Sequence, residues 1–175
     1  HIQADLISII AHAEVTHCCV TPTLWSISSS ASSPAEVPSL QVLALGGEPM
    51  TLHVIDVWAE KVNLYNVYGA TETTVFQTYS LMKKGDTPNK IGVPYACANI
   101  RVSDNDEIFI SGECVSSIGY LNADTLTAEK FFVSDTHGLT FRTGDFGRCC
   151  HGDMDEDRGE PRGHGRRTNH SGEGA

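Results

Sequence analysis

Leu64-Tyr65-Asn66-Val67-Tyr68-Gly69-Ala70-Thr71-Glu72-Thr73-Thr74 sets an aromatic ring, a glycine, a hydroxyl and a carboxylate in consecutive order between two apolar runs. Those are the parts needed to hold a nucleotide. Tyr68 offers a flat face to a base, and Gly69 lets the backbone approach a ligand closely. Thr71 has a hydroxyl for a phosphate oxygen, and Glu72 a carboxylate for the Mg²⁺ that neutralises it. Taken alone, the stretch reads equally well as a strand, a glycine turn and a polar cap. Segments elsewhere decide between the two.

The bulk numbers narrow the field first. At 175 residues the chain has enough length for one ordinary core or two small ones. A net charge of -10, with no basic stripe, argues against nucleic acid and anionic lipid as partners. No apolar run reaches the roughly 18 residues that span a bilayer, so no membrane partner is expected. Asp5 interrupts the first apolar stretch, so no signal peptide is read there, and a start at His1 suggests the interior of a longer protein. Cys18-Cys19 and Cys149-Cys150 are adjacent pairs, Cys97 and Cys114 stand alone, and no C-x-x-C or H-x-x-x-H occurs. This spacing disfavours zinc and fits idle or buried thiols in a reducing, cytoplasmic setting.

Apolar periodicity orders the elements. Leu6, Ile9, Ile10 and Ala13 predict one face of a helix over 3–13. Val15 to Val20 reads as a strand ended by Thr21-Pro22-Thr23, and Ser28 to Ser39 as a loop. Gln41 to Leu45 reads as a strand that turns at Gly46-Gly47-Glu48-Pro49. Thr51 would cap a helix carrying Leu52, Ile55, Trp58 and Val62, and a further strand runs into Tyr65. Thr74 to Leu81 alternates loosely as another strand. Helices between apolar strands predict an α/β layer with parallel pairing, whose ligands sit at the carboxyl ends of the strands. Beyond Asp86 the pattern turns β-rich: strands at 99–102, 107–111, 114–120, 139–141 and 146–150, and a helix over 125–132 capped by Asp124 or Thr125. The division expected is an α/β subdomain over 1–97, a β-rich subdomain over 98–150 and a disordered tail over 151–175, where Met154 and Ala175 are the only clear apolar residues.

Three blocks in order carry a family resemblance. They are Asn66-x-Tyr68-Gly69-x-Thr71-Glu72, then Glu107-Ile108-Phe109-Ile110-Ser111-Gly112 with Gly119-Tyr120-Leu121, then Phe141-Arg142-Thr143-Gly144-Asp145. With Gly46-Gly47-Glu48 and Ile91-Gly92-Val93-Pro94, they resemble the adenylate-forming (AMP-binding) superfamily, most closely the adenylation domains of nonribosomal peptide synthetases. The resemblance covers roughly residues 1–148 and implies an incomplete large domain of that fold. It implies an ATP-dependent ligase that joins an amino or other carboxylic acid to AMP, then passes the acyl group to a phosphopantetheine thiol on a carrier-protein domain or to coenzyme A.

The same resemblance implies roles. Tyr68 would stack on adenine. Gly46, Gly47, Glu48, Asn66 and Gly69 would line the nucleotide site, Glu48 through its backbone. Thr71 would touch phosphate and Glu72 would ligate Mg²⁺, which makes these two the catalytic candidates. Asp145 would accept from both ribose hydroxyls, with Arg148 nearby. Cys19, Ala44, Gly46, Val67, Val75 and Phe76 would wall the acyl pocket. They carry no charge and favour an uncharged substrate side chain.

The pattern also breaks. No Ser/Thr/Gly-rich lysine loop precedes Tyr68 within these residues, Ala70 stands where proline is usual, and Ile118 replaces an arginine. After Arg148 the apolar periodicity stops, which suggests a changed reading frame or a misplaced exon boundary. The isolated chain is therefore expected to be a weak catalyst. Alternatives are an inactive adenylate-binding module, a pseudogene-like product, or the acyl-coenzyme A synthetase branch of the superfamily.

Overall fold

The computed structural model describes residues 2–29, 33–151 and 158–163. The chain opens with α1 (Ile2–His12), β1 (His17–Val20), α2 (Pro22–Ser29), β2 (Val42–Gly46), α3 (Leu52–Trp58) and β3 (Asn63–Tyr68). Strands β1, β2 and β3 lie side by side and parallel. They join through helices because parallel neighbours need a crossover. β4 (Thr78–Leu81) and β5 (Val93–Pro94) extend the β3 edge in the antiparallel sense, giving the order β1-β2-β3-β4-β5. The result is a mixed α/β sheet with a parallel core.

The period of two sorts the side chains. Leu43, Leu45 and Leu64 are fully buried against Ile7, Ile10, Trp25, Val54, Ile55 and Trp58 on the helices. Trp25 and Trp58 meet edge to face, 4.9 Å between ring centroids. Register places Cys19 beside Ala44 and Ala44 beside Tyr65, so these share the face turned away from the helices.

The second sheet comes from β6 (Asn99–Val102), β7 (Glu107–Ser111), β8 (Phe131–Ser134), β9 (Gly138–His151) and β10 (Arg158–Gly163), with α4 (Asp124–Lys130) leading into β8. All its pairings are antiparallel, in the order β10-β9-β7-β6, with β8 also on β9. Its core is Ile110, Val115, Phe131 and Phe141. Tyr68 and Ala70 pack on it from the end of β3. The stretch that follows the parallel sheet is therefore a wall of the second core.

Several expectations change. Helix α1 buries Ile7 and Ile10 and leaves Ile9 47% exposed, so its inward face is rotated from the one expected. Thr21-Pro22 starts a helix rather than only stopping a strand. Pro22 is the first helical residue, where its missing N–H costs nothing, and Thr21 Oγ1 accepts from Leu24 N at 3.3 Å. Within the loop expected after it, Pro34–Glu36 forms a 3₁₀ turn capped by Ser33, and residues 30–32 lie outside the described residues. Thr51 does cap α3, accepting from Val54 N, but Leu52 is exposed and Val62 follows the helix. Residues 114–120 are turns, reversed by Gly112 and Gly119 at φ of 124° and 72°. α4 stops at Lys130, and its cap position, Ala123, makes no side-chain bond. The two strands expected at 139–141 and 146–150 are one, β9. The last segment supplies β10 on the β9 edge, since ladder hydrogen bonds need no apolar side chains; 152–157 and 164–175 lie outside the described residues.

Trp58→Ala removes a ring that is 2% exposed from the first core and should lower stability by about 3–5 kcal/mol. Urea unfolding followed by far-ultraviolet circular dichroism measures the loss.

Candidate functional site

A cleft of about 580 Å³ opens between the two sheets. One side is Gly47-Glu48-Pro49 after β2 and Asn66 to Gly69 at the end of β3. The other is Ile108 and Gly144-Asp145-Phe146. Pro88, Asn89 and Ile91 close the cleft between them. Its position is that of ligand sites in parallel sheets, beyond the carboxyl ends of the strands.

Across it, Tyr68 Oη donates to Asp145 Oδ2 at 2.7 Å, joining residues 77 apart in sequence. Asp145 reaches Tyr68 because β9 bulges. Register moves from Phe109 opposite Arg142 to Glu107 opposite Phe146, so Thr143-Gly144-Asp145 are pushed out of the ladder. Gly144 takes φ 81°, and Thr143 Oγ1 clamps the bulge by donating to Ile108 O and accepting from Asp145 N. Behind the bulge, Arg142 pairs with the buried Glu107 at 2.8 Å.

The other polar groups have defined partners. Asn66, 6% exposed, donates from Nδ2 to Pro88 O (3.2 Å) and Lys90 O (2.8 Å), tying the third wall to β3. Glu48 turns its carboxylate onto Thr23 at the start of α2, accepting from its hydroxyl at 2.6 Å and its N–H at 2.9 Å. Those bonds hold the Glu48 carboxyl below its usual range, the hydroxyl contributing most. Its backbone lines the cleft while its charge points elsewhere. Burial raises the Tyr68 phenol well above its ordinary value, and the bond to Asp145 and that carboxylate's charge add to the rise. Tyr120 Oη donates to Glu72 Oε1 at 2.5 Å, and desolvation, then Glu72, push its phenol up to about 12.

Of the residues singled out in the sequence, Gly47, Glu48, Asn66, Val67, Tyr68, Gly69 and Asp145 line the cleft. Gly46 lies behind them: a Cβ there would collide with Val67, and Phe76 Cε1 would stand 3.0 Å away. Thr71 and Glu72 sit on a 3₁₀ turn beyond the rim, with Glu72 facing Tyr120. Arg148 is on β9 opposite Arg162, past the bulge and outside the lining. Among the acyl-pocket candidates, Cys19, Ala44, Gly46 and Val67 share one sheet face by register, and Phe76 closes on Gly46. Val75 departs, 61% exposed at φ 70°. Sequence reading did not assign Pro49, Pro88, Asn89, Ile108, Gly144 or Phe146 to the site. They enter through loop and bulge geometry that carries no side-chain signature.

The family model for the AMP-binding enzyme matches residues 2–121. The chain belongs to the AMP-binding enzyme family. It is 39% identical over 141 residues to nonribosomal peptide synthetase 8 of Aspergillus fumigatus, covering 74% of this chain and 2% of that protein. It is 30% identical over 164 residues to the ferrichrome siderophore peptide synthetase of Mycosarcoma maydis, covering 84% and 4%. Among solved structures it resembles the N-terminal subdomain of Klebsiella oxytoca NpsA in complex with anthranilyl-AMSN. The TM-score is 0.75 at 22% identity, over 91% of this chain and 43% of that one. Against the Vibrio cholerae adenylation domain AlmE in complex with glycyl-adenosine-5'-phosphate, the TM-score is 0.76 at 22% identity, over 95% and 34%. The chain thus corresponds to part of a peptide synthetase adenylation domain and spans a small share of these synthetases. Among the described residues, no helix is long and apolar enough to cross a membrane.

Both phenols act as donors, so their protonated forms stabilise the fold. A raised folded value means this stabilisation is complete below the ordinary phenol value of about 10 and is lost as pH rises through the folded value. Urea midpoints should therefore fall between about pH 10 and 12. The fall should be shallower in Tyr68→Phe and Tyr120→Phe.

Proposed function

We propose that this chain forms the nucleotide-holding part of an adenylation domain whose parent enzyme activates an amino or other carboxylic acid as its acyl adenylate. The observation that carries the reading is the pairing of Tyr68 with Asp145 across one cleft. An aromatic face and a two-oxygen acceptor side by side suit a purine nucleoside, the ring for the base and the carboxylate for the sugar hydroxyls.

On this reading the Tyr68 ring holds adenine against the backbone of Gly47 and Glu48. Asp145 accepts from the ribose hydroxyls, which orients the α-phosphate toward the end of β3. Thr71 then hydrogen-bonds a phosphate oxygen. The substrate carboxylate attacks the α-phosphorus in line as pyrophosphate leaves, and the residues contribute mainly by holding that line. Glu72 would hold a Mg²⁺ that arrives with the triphosphate, since such sites need only one or two protein carboxylates; among the described residues no group of three His, Cys, Asp or Glu side chains is placed to hold a metal by itself. Bound there, Mg²⁺ would neutralise developing phosphate charge.

The acyl pocket lies on the helix-free face of the first sheet, where Val67 and Phe76 close on Gly46 so tightly that a Cβ there would collide. Its lack of charge favours an uncharged substrate side chain. In the full-length protein the acyl group passes to a carrier-protein phosphopantetheine thiol, the fate that fits a peptide synthetase.

ATP or AMP at about 100 times Kd should stabilise the chain by about 2.7 kcal/mol, a rise in Tm of roughly 5–10 °C. Thermal melting with each nucleotide checks this. Glu72→Ala should abolish the extra stabilisation that Mg²⁺ gives with ATP and leave the AMP shift in place. Stabilisation without ATP–pyrophosphate exchange identifies a binding module without catalysis, and no shift with either nucleotide rejects the proposal.

A further inference from the structure

Gln77 is fully buried one residue before β4, and both ends of its amide are in use. Oε1 accepts from Ala70 N at 3.0 Å and from Thr73 Oγ1 at 2.6 Å. Nε2 donates to Thr73 O and, at 3.2 Å, to Thr74 O. An amide has two acceptor sites and two donor hydrogens, so its capacity is filled. All four partners fall within residues 70–74, the turn that presents Thr71 and Glu72.

That turn needs an external hold. Thr74 and Val75 take φ of 67° and 70°, left-handed values that β-branched residues rarely adopt and that persist only where the surroundings enforce them. Thr73 to Thr74 is the stretch whose two carbonyls Gln77 gathers. Gly69 completes the fit, because a Cβ there would collide with Gln77 Oε1 and Val75 O. The Ala70 N–H bound by Gln77 would be absent from a proline, and Ala70 takes φ -123°, outside the range a proline ring permits. The turn is thus built around the glutamine.

We propose that Gln77 is a positioning residue for the phosphate and metal end of the nucleotide site, acting through the 70–74 turn on Thr71 and Glu72. This rests on the nucleotide reading above. It separates two parts of the site: base and sugar lie against the side chains of Tyr68 and Asp145, to which the Gln77 amide makes no hydrogen bond, its backbone N–H donating to Tyr68 O at 2.8 Å, whereas the triphosphate meets the turn that the amide holds.

The test is isothermal titration calorimetry of the chain with AMP alone and with Mg·ATP. Gln77→Met keeps the length of the side chain and removes all four hydrogen bonds. The Kd for Mg·ATP should rise about tenfold, as aligned contacts to phosphate are lost. The Kd for AMP should stay within about twofold of wild type. Thr73→Val removes one of the four bonds and should give a smaller loss of the same selectivity; it decides the matter if Gln77→Met does not melt cooperatively. Equal weakening of both nucleotides, or no weakening, overturns the positioning role while leaving the nucleotide site intact. A wild-type chain that binds neither nucleotide overturns the site itself and this role with it.

Discussion

The bond from the Tyr68 hydroxyl to the Asp145 carboxylate is the contact on which the site's geometry turns. It joins the end of the last parallel strand to a bulge in the second sheet, and the cleft lies between those elements. The contact does not act alone. Tyr68 and Ala70 also pack on the apolar cluster of Ile110, Phe131 and Phe141, so the ring is held by burial and only its hydroxyl by the carboxylate. Burial fixes which way the ring lies, and the hydrogen bond fixes how far apart the two walls stand. A nucleoside in the cleft would meet one wall that is apolar and one that accepts hydrogen bonds.

Irregular backbone accomplishes what regular strands cannot. Asp145 faces the cleft because β9 has extra residues at Thr143-Gly144-Asp145 relative to β7. The 70–74 turn leaves the line of β3 because Thr74 and Val75 accept left-handed conformations. Both departures are held by side chains whose polar atoms are directed at backbone: Thr143 at Ile108 and Asp145, Gln77 at residues 70, 73 and 74. The rigid layers behind them, the leucines of the parallel sheet and the phenylalanines of the second, fix where those loops start and end.

The sequence displayed the layers better than the turns. The apolar run from Gln41 to Leu45 and the further strand running into Tyr65, with Thr51 ahead of Leu52, were enough to read strand, helix, strand in parallel order. α2 escaped because Thr-Pro serves equally to end a strand and to cap a helix, and the choice depends on the burial of Trp25. The pairing of Tyr68 with Asp145 was legible only through the resemblance, since no local pattern links residues 77 apart. The bulge, the Asn66 tie to the 88–90 segment and the Gln77 clamp were not legible at all. Each depends on where a side chain points in three dimensions, and Gln77 in sequence is one polar residue in a loosely alternating run.

The most direct measurement is a double-mutant cycle on unfolding free energy with Tyr68→Phe, Asp145→Ala and the pair together, in the absence of nucleotide. Asp145 is solvent-exposed, so the coupling expected is that of an ordinary hydrogen bond, about 0.5–1.5 kcal/mol. A coupling of that size places the two walls in contact in solution. Additive effects, with a coupling indistinguishable from zero, would contradict a cleft closed by this pair.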